Sequence, residues 1–239
     1  MLVTTNAIVV SALKYGEADL IAKIYTLSHG LRTFMLKGVL KSKKGKFRSS
    51  MFQPLTRLEI VFNHRDTRKM EYLRDAKVRE MYVELHLNPI KSSLVMFLAE
   101  MLKNTIHEEE EDPLLFEYLE NSFHFLDQAS KFANFHLFFL LNLSRYLGFL
   151  PERTEQDLPV FNLLEGVFQT IPTNDYCVEG KNVTLLKQFL EADFFTLQGL
   201  KLNQSSRNDF LNMLLLYYEL HIENFRKPKS LSVLNEIFS

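Results

Sequence analysis

Apolar and polar residues alternate with a period of two over the first 80 residues, and the period then changes to about 3.6. Residues 7–13 (AIVVSAL) are short and β-branched and run up to Tyr15-Gly16. Residues 20–27 (LIAKIYTL) end at Ser28-His29-Gly30, a tight-turn signal, and residues 31–39 (LRTFMLKGV) follow at once, so these two runs read as a hairpin. Leu58, Ile60 and Phe62 alternate with Arg57, Glu59 and Asn63. After a turn at residues 63–66, Met70, Tyr72, Ala76 and Val78 share one parity. Five short strands without a helix-length gap are few for a sandwich. They suit a small barrel, whose closure removes exposed edges. An OB-fold β-barrel is the expectation for residues 1–80.

Beyond residue 80 the apolar positions fall on helical stripes. Leu94, Phe97, Leu98 and Met101 form one, and Asp112-Pro113 is a cap and first-turn proline opening a second through Leu115, Tyr118, Leu119 and Leu126. Residues 131–147 are apolar nearly all round, the mark of a helix central to a bundle. Gly148 ends that helix and Pro151 enforces the stop. Residues 151–180, with Pro159, Gly166 and Pro172 among short extended runs, read as an irregular insertion. Helices resume over residues 183–190 and 206–225, the latter opened by Ser206 and Asp209 as a variant capping box. The predicted class is α+β and multidomain: an N-terminal OB-fold barrel at 1–80 and a C-terminal α-helical domain at 81–239.

Charge sharpens this division. The net charge of -1 over 239 residues hides two halves of opposite sign. Residues 1–80 carry 16 Lys/Arg against 7 Asp/Glu, or +9, and the remaining 159 carry 12 against 22, or -10. A basic module beside an acidic one points to a polyanion ligand for the first and a different task for the second. Hydrophobic residues at 46% and charged residues at 24% exclude disorder as the main state, and no apolar run is long enough to span a bilayer. The N-terminus does not read as a signal peptide, and the single cysteine, Cys177, leaves no internal disulfide and no cysteine-based zinc cluster. A cytoplasmic protein is expected.

Catalytic signatures are lacking. The 8 glycines form neither GxGxxG nor GxxxxGK[ST], there is no GxSxG elbow and no HExxH, and the 7 histidines never take metal-ligand spacing. His64 with Asp66 is better read as turn chemistry, and His136 as a packed core residue. No cofactor, metal or small-molecule substrate is expected.

Residues 37–48 (KGVLKSKKGKFR) hold six cations, Lys37, Lys41, Lys43, Lys44, Lys46 and Arg48, and no acid. The run lies between the third and fourth predicted strands, so it is a basic loop. Cations that neutralise phosphates release condensed counterions and bind without reading sequence. Arg32 and Lys23 add positive charge on the early strands, with Phe47 able to stack on a base and Tyr15, Tyr25 and Phe34 either stacking platforms or barrel core. The competing readings of the run are a membrane-surface patch and a solubilising loop. In the second half most of the 21 phenylalanines form a core, each worth roughly 1.5–3 kcal/mol when buried. Phe135, Phe138 and Phe139, with Arg145 as the only cation between Phe132 and Glu152, are candidates for a groove taking a partner peptide's carboxylate.

The opening AIVVSALKYGEADLIAKIYTLSHGLRTFMLKGVLKSK, then FQPLTRLEIVF, RKMEYLRDAKV and the later RYLGFLPE, resembles the RecO family of bacterial recombinational-repair proteins. The resemblance covers essentially the whole chain. It implies an OB fold that binds single- and double-stranded DNA, a helical domain, annealing of complementary strands, and, with RecR, assistance to RecA loading on coated DNA. It also implies capture of the acidic tail of single-stranded-DNA-binding protein by the helical domain, and bacterial nucleoid association during repair. Many members carry a four-cysteine zinc module where this chain reads FNLLEGVFQTIPTNDYCVEG and keeps only Cys177, so a metal-free insertion is expected. An OB-fold RNA-binding or protein-interaction module is the alternative.

Overall fold

The computed structural model describes residues 1–41, 46–64, 70–107 and 110–237. Contacts divide them into two compact units, Met1–Gln128 and Ala129–Ser239. The first two helices thus group with the strands, although the hydrophobic period changes at residue 80.

The first unit is built on β1 (Leu2–Tyr15), β2 (Asp19–Thr26), β3 (Gly30–Leu36), β4 (Arg57–Asn63) and β5 (Leu73–Val78). They form an antiparallel sheet in the order β3-β2-β1-β4-β5. Strand β1 serves two partners: residues 2–8 pair with β4 and residues 7–15 with β2, and a bulge between Val9 and Ser11 bends the strand. The sheet then curls until its outer strands meet. Phe34 and Glu71 form a parallel bridge, with the Met35 amide donating to the Glu71 carbonyl and the Glu71 amide to the Thr33 carbonyl, both at 2.9 Å. This closes an OB-type barrel around Val9, Ala22, Ile24, Phe34, Ile60 and Phe62. Its open end is plugged by the 3-10 turn Ser49–Phe52, whose Phe52 is buried in the core with Phe47 and Met51 packed beside it.

Two helices complete the unit, α1 (Pro89–Thr105) and α2 (Pro113–Gln128). Asn88 caps α1 by accepting from the Ile90 and Lys91 amides, and Asp112 accepts from the Leu115 amide at 2.9 Å to open α2. Buried Asp127 accepts the amides of Val83, Glu84 and Leu85 at 2.8–3.0 Å, so one carboxylate fixes the segment leaving β5.

The second unit holds α3 (Phe135–Tyr146), α4 (Lys181–Glu191), α5 (Gln204–His221) and α6 (Leu231–Ile237). Helix α3 is central, as its apolar composition predicts: Phe135, Leu137, Phe139, Leu140 and Leu143 are buried. His136 is also buried and its pKa is pushed down to about 3, first by burial and then by Arg207, so it is a neutral core histidine. Helix α5 starts earlier than its sequence suggests, because Asn203 is the cap, accepting the Ser206 amide at 2.9 Å. Between α3 and α4 the insertion contains three three-residue strands, β6 (Val160–Asn162), β7 (Val167–Gln169) and β8 (Cys177–Glu179), ordered β7-β6-β8. Gly166 turns the β6–β7 hairpin at φ +72°.

Candidate nucleic-acid interface

The pairing register places the cations and apolar side chains of the barrel's outer face in rows. Ser11, Lys23 and Thr33 occupy one row across β1, β2 and β3, and Leu13, Ile21 and Met35 the next. Lys37 follows β3 directly, exposed, with its ammonium 5.2 Å from the centre of the Tyr72 ring. The strip nearer Tyr25 and Leu31 is covered, since Tyr25 stacks at 6.2 Å on Phe116 of α2.

The basic run leaves β3 pinned to the β1–β2 turn. The Gly38 amide donates to Asp19 Oδ1 at 2.8 Å, the Leu40 amide to the Ala18 carbonyl at 2.9 Å, and Lys41 Nζ to Glu17 Oε2 at 2.6 Å. At its other end Lys46 Nζ lies 3.5 Å from Asp75 Oδ1 of β5. Arg48 is exposed beside the plug turn. Lys43 and Lys44 lie outside the described residues. Lys37 thus stands at the β3–β5 seam beside Tyr72, Lys41 at the β1–β2 turn beside Glu17 and Lys46 beside Asp75 of β5, with Lys23 on the outer face of β2. Arg32 stands apart, near the opposite end of β3, half-buried with its Nε donating to the His29 carbonyl at 2.9 Å.

That opposite end carries a packed cluster. The His29 and His64 rings are 4.5 Å apart, and His64 Nδ1 lies 2.9 Å from Glu71 Oε1. Burial, then the neighbouring His64 and Arg32, pulls the His29 pKa below its ordinary value. The cluster thus ties His64, just past β4, to Glu71, the residue that forms the closing bridge.

Four aromatic residues of this module were candidates from sequence, and their placements differ. Tyr25 and Phe34 are buried, Phe47 packs at 6.1 Å on Phe52 in the plug, and Tyr15 is exposed. Tyr72, which sequence reasoning treated as a barrel-parity residue, is instead exposed on the outer face. Its parity is shifted by the bulge in β5, where Val61 pairs with Asp75 but Phe62 with Leu73, and no sequence signal marks that bulge.

In the second unit Phe135, Phe138 and Phe139 are buried in the core, because a helix apolar all round has each of its faces covered. These buried rings hold α3 in place, and Arg145 is exposed near the helix end. A cavity of about 520 Å³ lies elsewhere, beside α4, lined by residues including Asp157, Lys187 and Glu191. Around Cys177 the donors are Gln169 Nε2 at 3.3 Å and the Thr173 amide at 3.4 Å, and Asn162 Nδ2 joins Gln169 and Thr173 at 3.3 Å each. One thiol among carboxamides and a hydroxyl does not fit a tetrahedral thiolate zinc site.

Two family models match the chain. The model described as Recombination protein O N terminal matches residues 1–82, and the one described as Recombination protein O C terminal matches residues 86–231. The chain is 70% identical over 238 residues to the DNA repair protein RecO of Christiangramia forsetii, with all of both chains covered. It is 38% identical to that of Flavobacterium psychrophilum over 239 residues and 33% identical to that of Bacteroides fragilis over 242, again with all of both chains covered. With an OB-type barrel first and a helical region second, this chain belongs to the Recombination protein O family of DNA-repair proteins.

Proposed function

We propose that this chain binds single- and double-stranded DNA through the cationic side of its barrel and promotes the annealing of complementary strands. The observation that supports this best is the +9 charge of the barrel module, with Lys37, Lys41 and Lys46 of the basic run placed at its β3–β5 seam, β1–β2 turn and β5. Phosphates of one strand bind there by counterion release, and the same charge screens repulsion from a second strand. The action is non-catalytic: the protein lowers an electrostatic barrier and leaves base pairing to supply the specificity. The second unit, in this reading, serves protein partners, with RecR and the acidic tail of single-stranded-DNA-binding protein as the family's partners and Arg145 as the tail's cation, so that the barrel is brought to coated DNA where RecA is loaded. Nucleoid association follows from that partnership.

A variant with Lys41, Lys43, Lys44 and Lys46 changed to Ala tests this reading. Each lost phosphate contact flattens the dependence of log affinity on log salt by about 0.7–0.9. The expected result is weaker DNA binding with a flatter slope and slower annealing. Unchanged affinity and slope would remove the basic run from the site. Competition by single-stranded RNA of equal length separates DNA binding from the RNA-binding alternative.

A further inference from the structure

The geometry points to the apolar row on the barrel's outer face as a platform on which unpaired bases stack, with Tyr72 as its principal contact. This inference rests on the DNA-binding reading and specifies the chemical form bound: a polynucleotide strand whose bases are free of partners. Leu13, Ile21 and Met35 are register partners on adjacent strands. Tyr72 stands one step past the Phe34–Glu71 bridge, as Met35 does on β3, so it extends the row across the seam. Among the described residues Leu13 is 57% exposed and Tyr72 54%, so the row presents a contiguous apolar surface rather than a single exposed side chain. With strands about 4.8 Å apart, the row spans roughly 14 Å.

Charge complementarity selects the occupant. The apolar row is flanked by Lys23 in the neighbouring row and by Lys37 just beyond β3. An apolar row ending in the Tyr72 ring and flanked by cations matches a strand that presents base faces inward and phosphates at its edges. A duplex presents no base faces on its side, so the same row gives it nothing beyond its phosphates. Lys37 over the Tyr72 ring leaves the opposite ring face for a base, and the ammonium stays near a phosphate. The face therefore discriminates unpaired from paired DNA.

Binding of fluorescent oligothymidylate and of an abasic deoxyribose-phosphate chain of equal length, followed by anisotropy at low salt, tests this. The wild-type protein is expected to favour oligothymidylate. Tyr72→Ala should weaken oligothymidylate binding by roughly tenfold, since a stacked base is worth about 1–3 kcal/mol. It should leave the abasic chain and the salt slope unaltered, because no cation is lost. Tyr72→Phe should behave as wild type. Equal wild-type affinity for both chains, or an unaltered Tyr72→Ala variant, overturns the platform while leaving phosphate binding intact. Absence of any wild-type binding overturns the DNA reading and the platform with it. A wild-type dimer that Tyr72→Ala converts to monomer overturns it too, by assigning the row to a second copy of the chain.

Discussion

The ammonium of Lys91, wholly buried on α1, donates to the main-chain carbonyl of Asp127 at 2.7 Å and to Glu84 Oε2 at 2.6 Å. Asp127 in turn accepts three amides of the segment joining β5 to α1. One lysine and one aspartate thereby bind the strand exit, α1 and the end of α2 into a single unit. Removing the lysine leaves a buried carbonyl unsatisfied and a cavity behind. Lys91→Ala should cost about 2–5 kcal/mol in urea unfolding at neutral pH, from the cavity and the unsatisfied carbonyl, since Glu84 is half exposed and stays solvated. Asp127→Asn should cost less, about 1–3 kcal/mol, because the amide oxygen still accepts some of the three bonds.

Acid should weaken the second unit through His136. Its folded pKa of about 3 lies below the unfolded value near 6.5, so the unfolded chain takes up a proton that the folded chain refuses. The contribution is complete above about pH 6.5 and is lost progressively towards pH 3. Thermal unfolding midpoints measured from pH 7 to pH 4 should fall for the wild type, and His136→Leu should flatten that decline.

Gly166 is the least replaceable glycine of the insertion. A Cβ there would sit 2.8 Å from the Tyr217 hydroxyl, at a φ of +72° that side chains rarely adopt. That hydroxyl donates to the Phe149 carbonyl at 2.7 Å and has little room to retreat. Gly166→Ala should destabilise by about 1–3 kcal/mol. Adding Tyr217→Phe should recover the steric part alone, which a double-mutant cycle on unfolding free energies would separate.

On the proposed DNA-binding reading, Glu17 and Asp75 would compete with phosphate for the loop cations. Lys41–Glu17 and Lys46–Asp75 are exposed pairs, each worth about 0–1 kcal/mol. Glu17→Gln combined with Asp75→Asn should therefore tighten DNA binding by at most roughly tenfold, with the gain shrinking as salt rises. An affinity that falls would show that these carboxylates orient the lysines for binding.

Chelation should leave the insertion unmoved. Its strands are held by Asn162, Gln169, Thr173 and Cys177 through hydrogen bonds. The unfolding midpoint is expected to be the same with and without EDTA, whereas Asn162→Ala should lower it. A chelator-induced drop would contradict the donor chemistry of the site.

The five barrel strands were readable because a half-buried strand writes its parity into the sequence, and Leu58, Ile60 and Phe62 occupy the core as that parity requires. The helix start at Pro113 was marked by its Asp112 cap and first-turn proline, whereas the first helix was read from its apolar stripe alone. Tyr25 shows where this fails. It lies on the outer face by register, yet α2 covers it through Phe116, a contact between segments 91 residues apart that no local pattern encodes. Buried Lys91 was hidden for the same reason, since the Asp127 carbonyl it binds arrives from another helix. For the candidate interface, the charge was legible while its pairing with Glu17 and Asp75 was not, because both carboxylates come from other strands or turns.

The closing bridge between β3 and the start of β5 gives the barrel an uneven fastening. Along that side the Met35 and Glu71 amides take the place of the full ladders that join the other strands. Mechanically the module is a cuff with a two-stitch seam, and Tyr72 is sewn immediately beside it. A strand lying across the row would bind only the fastened form, so it would tighten the seam by mass action. Recognition and closure of the cuff would then be one event, visible as slower hydrogen exchange at the Met35 and Glu71 amides when the ligand is present.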